Sequence, residues 1–333
     1  MKNLKTLFVL MVFSLAMGLN AQDSFFNPEV PDIVQYTVIP DVKYGEAKVK
    51  QNGEVSNKDL TMDVYYPSEE SNEARPAIIL SYGGSFHRGN PRSTYNGYGG
   101  QTTSMSQYAQ RFAAEGYVVF TINYRVATDN PLVDEYSGYT EEDLDASFLA
   151  SPAAVSQINI IRAQMGLSAL TADNAEEVLK AAVLAGAEDL TTAIKHVKMN
   201  NEKYQINPDK IALGGFSAGG STSINVAYGI QEEVAAVFTN SGFPAVYNME
   251  KLVNASSDLP PLLAFVSQHD YPVVKHLMPD FIKLLKQNNV EYQFNWVPGF
   301  GHFYPSGSTI LTDDGYVMPL EQLTINFLNG VLK

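Results

Sequence analysis

The chain has 333 residues, with 36 acidic against 22 basic side chains, a net charge of −14, 45% hydrophobic residues and no cysteine. Such an acidic excess argues against nucleic acid and anionic membranes as partners, and the lack of cysteine excludes disulfides and a lipid-modified N-terminal cysteine. A chain of this length and apolar content buries one substantial core with room for an insertion.

Lys2 and Lys5 precede an apolar run over residues 7–19, which ends in Asn20-Ala21-Gln22. This pattern predicts a cleaved signal peptide over residues 1–21, too short to span a bilayer, and a secreted or periplasmic mature protein. Loss of Lys2 and Lys5 takes the net charge from −14 to −16. No later segment approaches a membrane span, so residues 22–333 are expected to form the folded domain.

Residues 61–66 alternate apolar and polar side chains before Pro67, the pattern of an outer strand, whereas residues 76–81 run continuously apolar, as in a strand covered on both faces. A helix is predicted over 106–115, closed by Gly116, and a buried strand over 117–124. After residue 186 the alternation resumes with a helix over 187–204, a strand over 210–214 and a helix over 218–229. Strands over 234–240 and 261–267 come next, then a helix over 274–288, a strand over 291–297 and a terminal helix over 320–332. Strand and helix in turn predict an α/β fold: a mostly parallel sheet with helices on both faces, binding ligands at the carboxyl ends of its strands. Residues 126–186 interrupt the pattern and are too long for a plain loop, so they are read as a helical cap over those strand ends. Their acidic stretch, 134–145, reads as a solvated face, with a cation site as the alternative.

Gly215-Phe216-Ser217-Ala218-Gly219 stands where the strand over 210–214 turns into a helix. Small neighbours allow a sharp turn that presents the Ser217 hydroxyl, and the helix N-terminus favours negative charge developing beside it. A serine hydroxyl is a poor nucleophile at neutral pH and needs a histidine base held by an acid. Of five histidines, His196 and His276 fall inside predicted helices, His269 adjoins an aspartate and His87 lies near a glycine loop. His302, in the loop after the last strand, remains as the base. Asp270 is the carboxylate that follows a strand between the two, although an aspartate there also suits a helix cap. Ala218 and the loop Tyr82-Gly83-Gly84-Ser85-Phe86 offer backbone N–H groups for an oxyanion, the loop through Gly83, Gly84 and Ser85. Tyr82, Phe86, His87, Phe216, Phe243 and Phe303 lie near these loops as pocket candidates, the aromatic ones being equally suited to the core. This chemistry requires no metal and no organic cofactor.

These residues together resemble the α/β-hydrolase superfamily. Within it they are similar to the secreted carboxylesterases and the acetyl-esterase/lipase group that includes bacterial feruloyl and acetyl-xylan esterases. The resemblance covers residues 58–330 and is carried by the loop Tyr82-Gly83-Gly84-Ser85-Phe86 with Gly89, by residues 113–125 and 207–220, by Asp270 and by Gly301-His302. It implies an α/β-hydrolase fold with a Ser217, Asp270, His302 triad, oxyanion amides from Gly84 and Ser85, and hydrolysis of short-chain acyl or polysaccharide-linked acetyl or feruloyl esters. Two departures stand out. Many relatives have His-Gly-Gly-Gly where this chain has Tyr82-Gly83-Gly84-Ser85, and the cap is longer than a simple esterase of this group needs. A serine peptidase or amidase uses the same triad and is the alternative within hydrolases; a non-catalytic binding protein of the same fold is the alternative outside them.

Overall fold

The apolar runs pair into one sheet. The computed structural model describes residues 36–133, 139–312 and 315–333; the expected signal peptide and the first part of the acidic stretch lie outside the described residues. Eight strands build the sheet: β1 (Tyr36–Gln51), β2 (Glu54–Pro67), β3 (Arg75–Ser81), β4 (Val118–Ile122), β5 (Ile206–Phe216), β6 (Ala236–Asn240), β7 (Leu262–His269) and β8 (Tyr292–Gly301). Their spatial order is β1-β2-β4-β3-β5-β6-β7-β8. β2 pairs antiparallel with β1 and with β4, and all other neighbours are parallel. Every residue of β4 and of β6 is buried, as expected of central strands covered by helices on both faces.

The hairpin of β1 and β2 goes beyond the single outer strand expected over 61–66. Its turn, Asn52-Gly53, has φ of 52° and 87°, the two positive values that a two-residue hairpin turn matched to strand twist requires.

The α-helices of six or more residues are α1 (Met105–Ala114), α2 (Pro152–Gln164), α3 (Ala172–Met199), α4 (Ala218–Ile224), α5 (Met249–Asn254), α6 (Pro272–Gln287) and α7 (Leu320–Leu332). α3 corrects the sequence reading, which ended the cap at residue 186 and began a separate helix at 187. A Cβ at Gly186 would stand 3.4 Å from both Thr222 Oγ1 and the Tyr124 ring, so this glycine permits a close crossing rather than ending a helix. The cap therefore does not stop at residue 186: its last helix continues into the body of the domain. Buried Arg125, just beyond β4, fastens that helix. Its Nε donates to Asp189 Oδ1 at 3.0 Å and its Nη2 to Glu188 at 2.8 Å, while its Nη1 reaches the carbonyls of Lys48 and Leu132.

Of the described acidic cap residues, Asp143 pairs with Lys251 at 2.7 Å and Glu141 with Lys180 at 2.9 Å. Among the described residues no group of three or more His, Asp or Glu side chains is placed to hold a metal ion, and no helix is long and apolar enough to cross a membrane.

Candidate active site

Parallel strands bring their carboxyl ends to one edge of the sheet, and the loops leaving β3, β5, β7 and β8 meet there. Ser217, between β5 and α4, has φ 52° and ψ −119°. A non-glycine residue in that region carries about 1–3 kcal/mol of strain, which surrounding structure must hold. Here the Ser217 N–H donates to Asn240 O at 2.8 Å, across to the neighbouring strand end. The flanking glycines serve close approach. A Cβ on Gly215 would lie 2.5 Å from the Gly219 carbonyl carbon, and one on Gly219 would lie 2.0 Å from Ser81 O at the end of β3. Both obstacles are backbone atoms, which do not yield as a side chain does. Gly219→Ala is therefore expected to destabilise the fold by more than ~4 kcal/mol, read as a fall in the denaturation midpoint. A midpoint like that of the wild type would contradict this account of the turn.

His302 follows β8 directly. Its Nε2 accepts from Ser217 Oγ at 2.8 Å, and its Nδ1–H donates to Asp270 Oδ1 at 2.6 Å. All three residues are buried. Asp270 Oδ1 also accepts from the Tyr271 N–H at 2.8 Å, and Oδ2 accepts from Ser241 Oγ at 2.5 Å and from the Ser267 N–H at 3.3 Å. Burial works against ionisation of this carboxyl, but His302, Ser241 and the Tyr271 amide outweigh it and hold the group below the usual carboxylate range. The helix-cap reading of Asp270 does not hold, because α6 begins with Tyr271 as its cap and Pro272 in its first turn, with no side-chain cap.

Sequence reasoning missed three neighbours of this chain of hydrogen bonds. Ser241 was passed over because its loop was searched for a carboxylate; it instead donates to one, and it in turn accepts from Tyr304 OH at 2.9 Å. Tyr271 lies against the His302 ring, with centroids 4.4 Å apart and planes at 31°. Its position immediately after Asp270 was the available signal.

The loop after β3 keeps φ positive at three successive residues, 134° at Gly84, which glycine adopts freely, and 56° at Ser85 and 58° at Phe86, where a side chain makes it strained. Four consecutive carbonyls in it are occupied. Gly83 O accepts from Tyr95 OH at 2.8 Å, Gly84 O from the His87 N–H at 3.0 Å, Ser85 O from His87 Nδ1 at 2.9 Å and Phe86 O from the Ala127 N–H at 2.7 Å. In a trans peptide the N–H points opposite to the carbonyl, so these bonds turn the amides of Gly84, Ser85 and Phe86 the other way. Gly84 and Ser85 line a cavity of about 480 Å³ that contains Ser217 and His302; Ser85 and Ala218 line a second, of about 250 Å³, with the same two residues. Gly83 borders neither, and a Cβ there would meet the Phe216 ring.

Helix α2 roofs both cavities, and its Gln157 lines both. The larger has a mixed lining, bordered by Arg88, Tyr95, Asn96 and Gln164 together with Ile160, Phe216 and Phe303. The smaller is apolar, bordered by Phe86, Phe148, Ile158, Leu179, Val183 and Phe243. Two pocket candidates are corrected. Tyr82 is a core residue stacked on Tyr124 with ring centroids 4.4 Å apart, and its hydroxyl donates to Tyr124 O. His87 is fully buried behind the loop, where burial lowers its pKa and its Nδ1 clamps Ser85 O.

The dienelactone hydrolase family profile matches residues 96–317, about two thirds of the sequence. The chain belongs to this family. On that membership it is a carboxylic-ester hydrolase with the α/β-hydrolase fold. Solved structures agree on the fold. Esterase 2 of Thermogutta terrifontis with propionate bound is 16% identical, with a TM-score of 0.55 over 91% of this chain and 94% of that one. The same esterase phosphorylated by paraoxon gives 15% identity and a TM-score of 0.53 over the same shares. Esterase B from Lactobacillus rhamnosis, carrying a tributyrin phosphonate, gives 15% and 0.50 over 82% of this chain and 77% of that one. No curated protein sequence matches the chain.

Proposed function

We propose that this family member is an exported serine esterase that works through an acyl-enzyme formed on Ser217. The observation that carries the reading is the unbroken run of hydrogen bonds from Ser217 Oγ through His302 to Asp270, set on a strained turn between two cavities. Ser217 Oγ attacks the ester carbonyl while His302 Nε2 takes its proton. Asp270 fixes Nδ1 as the protonated nitrogen and stabilises the imidazolium. The amides of Gly84, Ser85 and Ala218 hold the oxyanion. His302 then returns the proton to the leaving alcohol, and a water molecule repeats the sequence to release the acid. The apolar cavity of about 250 Å³ suits a short acyl chain or a single aromatic acyl group, consistent with acetyl, butyryl or feruloyl esters, including those on polysaccharide. Export is included on the strength of the basic, then apolar, then small-residue pattern over residues 1–22.

A fluorophosphonate probe is expected to add once per chain, at Ser217, by peptide mass spectrometry, and to leave the Ser217→Ala protein unlabelled. A protein inert to the probe, or labelled at another residue, would sink the reading.

A further inference from the structure

Both the cap and the body of the domain line the smaller, apolar cavity beside Ser217. Its aliphatic walls, Leu149, Ile158, Leu179 and Val183, are buried. Three aromatic residues of the lining are instead part exposed. Tyr271 is one, and it lies on the His302 ring at the catalytic end. The other two are Phe148 from the cap and Phe243 from the loop after β6. Their rings meet edge to face, with centroids 6.1 Å apart and planes at 76°, a favoured aromatic geometry. Each ring thus borders the cavity and touches solvent, and the pair stands where the cavity meets the surface.

The backbone brings the two rings together. Leu144 and Asp145 of the cap pair antiparallel with Tyr247 and Val246 of the body, Asp145 lying opposite Val246. In an antiparallel pair one chain counts up as the other counts down. Phe148 is three residues beyond Asp145 and Phe243 three before Val246, so the same register, continued, sets one ring opposite the other. The body ring is also tied to the nucleophile helix. The Phe243 N–H donates to Ser221 Oγ at 3.1 Å, and the Ser221 N–H donates to Ser217 O at 2.9 Å. Ser221 therefore stands one turn of α4 beyond the nucleophile, about 6 Å along the helix axis, a distance within reach of a short acyl chain.

We propose that Phe148 and Phe243 form the stop that limits the acyl group. Unbranched acyl chains from acetyl to butyryl end against the two rings, and longer chains do not fit while the rings meet. The cap insertion is then a specificity element, since it supplies one half of the stop and the body supplies the other. The proposal rests on the esterase reading above, and the test separates the two.

The 4-nitrophenyl esters of acetate, butyrate and octanoate share a leaving group, so differences among them arise on the acyl side. For the wild type, kcat/KM for butyrate is expected to exceed that for octanoate by about tenfold or more, the scale on which an apolar pocket discriminates by size. Apolar burial alone would give the reverse order, because octanoate has more surface to bury. In Phe148→Ala and in Phe243→Ala the butyrate-to-octanoate ratio is expected to fall by about tenfold or more. Phe148→Trp enlarges the stop and is expected to lower butyrate against acetate. A general loosening of the cap would not move the chain-length preference in opposite directions. Each ratio is taken within one variant, so it does not depend on how much of that variant folds. As a check that needs no variant, butylboronic acid is expected to inhibit the wild type about tenfold more tightly than octylboronic acid. Octanoate turned over as well as butyrate by the wild type, equal inhibition by the two boronic acids, or a wild-type ratio in either alanine variant overturns the stop and leaves the esterase reading standing. Turnover of none of the three esters overturns both.

Discussion

Replacing Ser217 by alanine is expected to lower kcat for a short-chain aryl ester by about 10⁶-fold, the size of effect that loss of a serine nucleophile has in comparable sites. The substitution is unusually clean at this position. Alanine keeps the Cβ, so the strain of the φ 52° backbone is carried over unchanged, and the Ser217 N–H bond to Asn240 O is retained. Only Oγ and its bond to His302 Nε2 are removed. The thermal midpoint is therefore expected to stay close to that of the wild type, and circular dichroism to be unchanged. Residual hydrolysis of roughly 10³-fold over water is expected from the oxyanion amides and from binding alone. A Ser217→Ala protein that kept a hundredth or more of wild-type turnover, after contaminating esterases are excluded, would place the nucleophile elsewhere.

That Ser217, Asp270 and His302 could be expected to meet at one edge of the sheet before any coordinates has a physical reason. Each follows a strand, parallel strands deliver their carboxyl ends to one edge, and the order of the three along the chain matches the order in which that edge is built. Local signals carry such information: an apolar run, a glycine pair, a turn. Contacts between strands distant in sequence do not announce themselves in this way. Tyr82 was placed in the pocket because it adjoins the glycine loop, but β3 lies beside β4, with Ser81 opposite Ile122. The residues just beyond those two ends, Tyr82 and Tyr124, therefore stack on each other. The insertion is bounded at residue 186 in the sequence, where the strand–helix alternation resumes; the crossing of α3 with α4, which makes a small residue useful at Gly186, is a tertiary fact. The hairpin of β1 and β2 was legible and was overlooked: Asn52-Gly53 is the strongest short-range hairpin signal a sequence offers.

Asp270→Asn is expected to lower kcat by about 10⁴-fold, through the tautomer of His302. All four partners of the Asp270 carboxylate are donors: His302 Nδ1–H, the Tyr271 and Ser267 amides and the Ser241 hydroxyl. An asparagine brings one oxygen and one NH2 group, so one side of it must face donors. With the NH2 toward His302, the imidazole accepts at Nδ1 and carries its proton on Nε2, where it can no longer take a proton from Ser217. With the NH2 turned the other way, it confronts the Ser267 N–H and displaces the Ser241 donor. Either orientation leaves a buried polar group poorly paired, at a cost of ~1–3 kcal/mol.

The pH dependence of this stability difference follows from the sign of the shift. Asp270 is held below its usual 3.8 in the folded protein, so its ionised form contributes stability that is fully present above that value and is lost as pH falls through the depressed folded-state pKa. The variant lacks this contribution at every pH. The gap between the wild-type and Asp270→Asn thermal midpoints is therefore expected to be widest near neutral pH and to narrow below about pH 4. An activity loss of less than tenfold would remove Asp270 from the role of holding His302, and a gap that stayed constant into acid would mean that the carboxylate is not ionised in the folded site. The two readouts are independent: the first reports on the imidazole, the second on the charge that orients it.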